Sequence, residues 1–212
     1  VSGLADFFWD RRAEILALTA QHVTLVLVAT VLAVAIGVPA GVVLTRRPRL
    51  ARPVLAFANV VQTIPSLALF GFLIPLPLLG GIGARTAIVA LVVYALLPIL
   101  RNTHAGIASV DPAVVDAATG LGMTPGERLR WVELPLAFPV VLAGIRIAVV
   151  VGIGLATIAA AIGAGGLGVL IYRGVAIVDH RLILAGAVPA ALLALAFDFS
   201  LSVAERRWGP SR

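Results

Sequence analysis

Chemistry in this 212-residue sequence would have to start from its three histidines, at 22, 104 and 180, or from its glycine-rich and acidic stretches. The histidines are far apart, cysteine is absent, and no pair has the spacing of a metal site. All sixteen basic residues are arginine. A Schiff-base lysine and a phosphate-loop lysine are therefore both excluded. Gly163-Ala164-Gly165-Gly166-Leu167-Gly168 fits G-x-G-x-x-G, but a dinucleotide site needs that pattern after a strand in a βαβ unit. Here it follows an apolar run, and the next acid, Asp179, is too close to serve a ribose, so a turn is expected. No G-x-S-x-G and no local pair of acids occurs. The sequence predicts no catalytic residue, no bound metal and no cofactor.

What remains is polarity embedded in apolar sequence. Asn59, Gln62, Thr63 and Ser66 surround Pro65 in one apolar run. Such groups either bond between helices or line a water-filled path, and Pro65 frees a backbone group that can open the helix there. Arg146 and Asp198 each interrupt another apolar run. An unpaired charge at mid-bilayer costs about 2.5–3.5 kcal/mol on the insertion scale. The two lie at similar depth, so they are expected to face each other as a gate pair. The bland alternative is an arginine that reaches the headgroups and an aspartate bonded to serines. Gly37 and Gly41 form a G-x-x-x-G, which permits close helix approach.

The elements that hold these residues follow from composition. The chain is 61% hydrophobic and 12% charged, with mean hydropathy +1.10. A soluble domain is about 45–50% apolar and about 25% charged, so this is an all-α membrane protein. A bilayer core about 30 Å thick takes about 20 apolar residues per helix. Candidate spans are 23–44, 53–79 with Pro65, Pro75 and Pro77 inside it, 86–100 borrowing from the glycines at 80, 81 and 83, 135–172, and 182–203. That gives five spans, or six. The first 21 residues carry Asp6, Asp10, Arg11, Arg12 and Glu14, which is not the pattern of a secretory leader.

Ten arginines fall in the 46–52 loop, the 101–130 segment and the tail, against five in 11–12, 85 and 173–181. The richer side should be cytoplasmic, with the N-terminus outside and the C-terminus inside. The expected organisation is an extracytoplasmic segment at 1–21, a membrane domain at 22–205 containing a cytoplasmic loop at 101–135, and a cytoplasmic tail at 206–212. The net charge of +6 reads as this orientation signal. Nucleic acid is not expected, because no basic amphipathic or aromatic-rich module accompanies the charge.

The loop at 101–135 is the only long polar stretch. Asp111-Pro112 is a helix start, with the acid as N-cap and proline at the first helical position. That helix should run to about Leu121 and stop at Gly122. Thr124-Pro125-Gly126-Glu127 has capping-box spacing and starts a second helix, expected to end before Pro135. Two short helices joined at a glycine make an elbow.

Asp116-Ala117-Ala118, Gly122 and Val132-Glu133-Leu134-Pro135 resemble the cytoplasmic signature of ABC importer permeases: E-A-A, three residues, G, nine residues, I-x-L-P. Asp stands for Glu and Val for Ile. The runs VQTIPSLALFGFLIPL, YALLPILRNTHAGI, VDPAVVDAATGLGM, ELPLAFPVVLAGIR and IGAGGLGVLIYRG resemble the glycine betaine/carnitine/choline permeases. Together they cover most of residues 61–174. The resemblance implies a type I importer permease fold in the bacterial plasma membrane, working as a pair of identical or paralogous permease subunits. It also implies a cytoplasmic ATPase that docks at Asp116, Ala117, Ala118, Gly122, Leu134 and Pro135, a separate extracytoplasmic binding protein, and a quaternary ammonium solute. An amino-acid or methionine importer permease shares the size and loop signature. A secondary transporter would need coupling-ion sites and internal repeats, and neither is evident. A non-transporting scaffold would leave the loop unexplained.

Overall fold

A computed structural model describes residues 2–208, and among these every regular element is helical. The order is α1 (Ser2–Asp10), α2 (Arg12–Arg46), α3 (Pro48–Thr63), α4 (Ser66–Leu73), α5 (Ala84–Ala108), α6 (Pro112–Gly120), α7 (Pro125–Arg128), α8 (Leu134–Ala159), α9 (Gly168–Ile177) and α10 (His180–Trp208). Four helical stretches are long and apolar enough to cross a membrane, and the bent pair α3–α4 makes a fifth.

α5 is the central strut. It packs on α2 along one side and on α8 along the other, while α10 covers α8 and α9. Small residues permit this closeness, as expected where lipid supplies no hydrophobic drive between helices. A Cβ on Gly37 would lie 2.8 Å from the Ile99 side chain, and one on Gly41 would lie 2.6 Å from that of Thr103. The G-x-x-x-G of α2 is thus a contact with α5. Leu25 and Val26 of α2, Phe70 of α4, Leu91 of α5 and Ile153 of α8 meet in the largest buried cluster.

The second apolar run does not form one straight span. α3 and α4 meet at 99°. Ile64 is extended at ψ 125°, because the ring of Pro65 disfavours helical geometry in the residue before it. The third span is longer than its apolar run: α5 begins directly after Gly83 and continues to Ala108. The polar loop between helices therefore starts at Ser109 rather than Arg101. Polarity at 101–104 was misleading, since Thr103 is fully buried and Asn102 Nδ2 donates to the Pro98 carbonyl at 2.8 Å.

The fourth apolar run is also divided. Helix is continuous from Pro125 to Ile162. Gly163, Gly165 and Gly166, at φ 76°, 81° and 77°, then reverse the chain, and α9 follows as a separate short helix. The expected break before Pro135 does not occur. Residues Leu129–Glu133 form a π-helical turn in which Leu134 N–H donates to the Leu129 carbonyl. That widened turn carries the helix past Pro135, which has no N–H to give.

Candidate functional site: the loop elbow and the cavity behind it

The elbow between α5 and α8 is built from local signals. Asp111 caps α6 by accepting from Ala113 N–H at 2.9 Å. Gly122, at φ 82°, ends it in a conformation that a side chain would strain. Thr124 and Glu127 form the complete capping box. The hydroxyl and N–H of Thr124 donate to the Glu127 carboxylate at 2.7 and 2.8 Å, and these bonds hold that carboxyl below its ordinary range.

The elbow is tied to the membrane helices at Glu133. This carboxylate is 2% exposed. It accepts from Arg128 Nε at 2.9 Å and pairs with Arg46 at the end of α2. Arg128 also donates to Thr119 Oγ1 on α6 at 3.0 Å. One buried acid therefore links α2, the elbow and the start of α8. The sequence reading missed Glu133, which occupies the unspecified position of V-x-L-P.

Of the signature residues, Asp116, Ala117 and Gly122 lie on the open side of the elbow, together with Leu121, which is 81% exposed. Ala118 points the other way and is 4% exposed, so it packs the elbow internally rather than presenting a free face. Leu134 is half-buried and Pro135 exposed at the start of α8.

Among α3, α5 and α8 a cavity of about 570 Å³ is lined by Gln62, Tyr94, Pro98, Arg101, Asn102 and the α8 residue Val151 among others. Two prolines shape it. Pro98 cannot donate to the Tyr94 carbonyl four residues earlier, and Gln62 Nε2 supplies that bond at 3.0 Å. The Ile64 carbonyl at the α3–α4 bend accepts from the Tyr94 hydroxyl. Gln62 is thus both an interhelical bond and a cavity wall. Asn59, Thr63 and Pro65 are exposed nearby and Ser66 is half-buried, with the Thr63 hydroxyl turned back to the Val60 carbonyl at 2.7 Å. None of these four lines the cavity.

Arg146 and Asp198 stand together on α8 and α10, with Nε 3.8 Å from the carboxylate. Glu205, two turns along α10 and not anticipated from sequence, is nearer at 3.6 Å.

At the opposite end of the bundle, the G-x-G-x-x-G run is a packed turn. Gly166 N–H donates to Gln21 Oε1 at 3.2 Å, and Leu167 N–H to His22 Nδ1 at 3.3 Å. The other ring nitrogen of His22, fully buried, bonds the Ile153 carbonyl at 3.1 Å. Of the remaining histidines, His104 lies on α5 and His180 starts α10.

This architecture has close counterparts. The family described as binding-protein-dependent transport system inner membrane component matches residues 18–210. The osmoprotectant import permease protein OsmW of Salmonella typhimurium is 49% identical over 197 residues, 92% of each chain. The choline transport system permease protein OpuBB of Bacillus subtilis is 45% identical over 208 residues, 98% of this chain and 94% of its own. Among solved structures, an inward-facing form of the MetNI methionine ABC transporter superposes with TM-score 0.81 at 27% identity, covering 91% of this chain and 94% of the other. The spans, the elbow and these likenesses together show that the chain belongs to the binding-protein-dependent transport system inner membrane component family, as a multi-pass permease.

Proposed function

We propose that this chain is the permease subunit of an ATP-driven importer for a quaternary ammonium osmoprotectant such as glycine betaine, choline or carnitine. The observation that carries the coupling role is the elbow itself. It is rigidly capped, tied through Glu133 to two membrane helices, and open on the face of Asp116, Ala117, Leu121 and Gly122. A cytoplasmic ATPase docks on that face and moves elbow, α2 and α8 together. The solute class rests on relatives at 45–49% identity whose names carry osmoprotectant and choline. The methionine importer is further away, at 27%.

In this reading a second permease subunit completes the pathway, and a separate binding protein delivers solute on the face opposite the elbow. The C-terminus and the arginine-rich loops are cytoplasmic and the N-terminus is outside. The cavity at Gln62 is part of the path, with Asn59, Thr63, Pro65 and Ser66 on the wall shared with the second subunit. Arg146 and Asp198 latch its inner half. The permease itself hydrolyses no ATP. The test is uptake of labelled glycine betaine, choline, carnitine and methionine by cells carrying the whole transporter. Uptake of a quaternary ammonium solute is expected, and Gly122→Asp should abolish it at normal membrane levels. Methionine uptake alone would replace the solute assignment, and full uptake by the Gly122→Asp variant would remove the docking face.

A further inference from the structure

A second cavity, of about 580 Å³, lies between α2 and α8 and shares no lining residue with the first. Val34 and Val38 form its wall on α2, one turn apart. Phe138, Val141 and Ile145 form its wall on α8, spaced as one helical stripe. The far end is closed by Arg130, at the loop side of the bundle. From Leu134 to Ile145 the groove runs about 16 Å along the helix axis, roughly half of a bilayer core about 30 Å thick.

Its cation differs from the two arginines that meet at Glu133. Arg128 and Arg46 are both engaged by Glu133. Arg130 is exposed and, among the described residues, has no carboxylate partner; its guanidinium lies 5.2 Å from the centre of the Trp131 ring. Trp131 is 65% exposed, and an indole beside an arginine at a helix end is the arrangement that settles at headgroup level. An apolar groove one leaflet long, ending in an uncompensated guanidinium at the membrane surface, matches a molecule with an acyl chain and an anionic head.

We infer that this groove is a binding site for an anionic phospholipid of the loop-side leaflet, with one acyl chain between α2 and α8 and its phosphate on Arg130. The site lies on the helix pair that Glu133 joins to the elbow. A bound lipid therefore bridges the elements that the docking loop moves.

The test uses the complete transporter, this chain with its ATPase, in nanodiscs of equal phosphatidylglycerol and phosphatidylcholine, followed by native mass spectrometry. The unaltered complex is expected to retain phosphatidylglycerol over phosphatidylcholine by about fivefold, the factor expected of one arginine at an anionic surface. Arg130→Gln should lower that ratio, leaving only what the exposed Arg47, Arg49 and Arg52 attract, and Arg130→Lys should keep it. Val38→Trp, or Val34→Trp higher in the groove, should lower retention of both lipids. Equal retention by the unaltered complex overturns the site. An undiminished preference in Arg130→Gln overturns it too, as does unchanged retention in both tryptophan variants. So does a preference seen only after the ATPase is removed, because the ATPase then occupies Arg130.

Discussion

Two distant connections grip the same helix and do so with opposite chemistry. At one end of α2, Arg46 reaches a buried carboxylate in the elbow. In its other half, Gln21 and His22 accept backbone N–H groups from the glycine turn. The charged end leaves a face of the elbow open, with Ala117 and Leu121 uncovered. At the neutral end Gly166, Leu167 and Gly168 are all buried, while Gln21 and Gly163 are exposed and line a cavity of their own. A charged tie beneath an open elbow holds position and leaves a face for a partner, whereas neutral bonds to a packed turn fix the fold. On the proposed function the elbow is then the part that moves and the glycine turn the fixed end.

The largest effect should come from disturbing the fixed end. A Cβ on Gly168 would sit 2.0 Å from the Thr157 carbonyl oxygen. Backbone cannot yield there as a flexible side chain would, so Gly168→Ala should cost more than about 3 kcal/mol. The expected outcome is loss of folded protein from the membrane, read by immunoblot and protease resistance. Normal levels would mean that the turn is not the anchor. At the elbow, Glu133→Gln removes charged bonds worth about 1.5–3 kcal/mol. It should leave insertion intact and uncouple transport, seen as ATP hydrolysis by the complex without solute uptake. If instead the protein disappears from the membrane, the two ends do not differ in kind. The smallest effect concerns Asp198, whose side chain is 51% exposed. Asp198→Ala leaves Arg146 its bond to Glu205, so the loss should stay below about 1 kcal/mol. Uptake should fall less than in Arg146→Ala, and a larger fall would identify Asp198 as the essential partner.

The same contrast explains what could be read from the sequence. The elbow was legible because its caps are local: Asp111 with Ala113, Thr124 with Glu127. The juxtaposition of Arg146 and Asp198 was accessible by counting helical rise along two spans. The Glu133 tie was not, because Arg46 is 87 residues away and any acid before an apolar run looks solvated. Polar residues at 101–104 suggested loop, yet α5 continues through them and sets Thr103 against Gly41 and Asn102 against Gly144. Pro65 marked a break in the second span. Its 99° angle depends on Tyr94 and Gln62 satisfying carbonyls from another helix, which no local pattern shows.

The central claim is that the ATPase meets this chain at the elbow. The chain has no cysteine, so single thiols can be placed at will. A cysteine at position 117, carrying a short thiol-attached photo-crosslinker, should capture the ATPase in the assembled, active transporter, and one at position 165 should not. Absence of any ATPase adduct from position 117, or an adduct from position 165, would contradict the account.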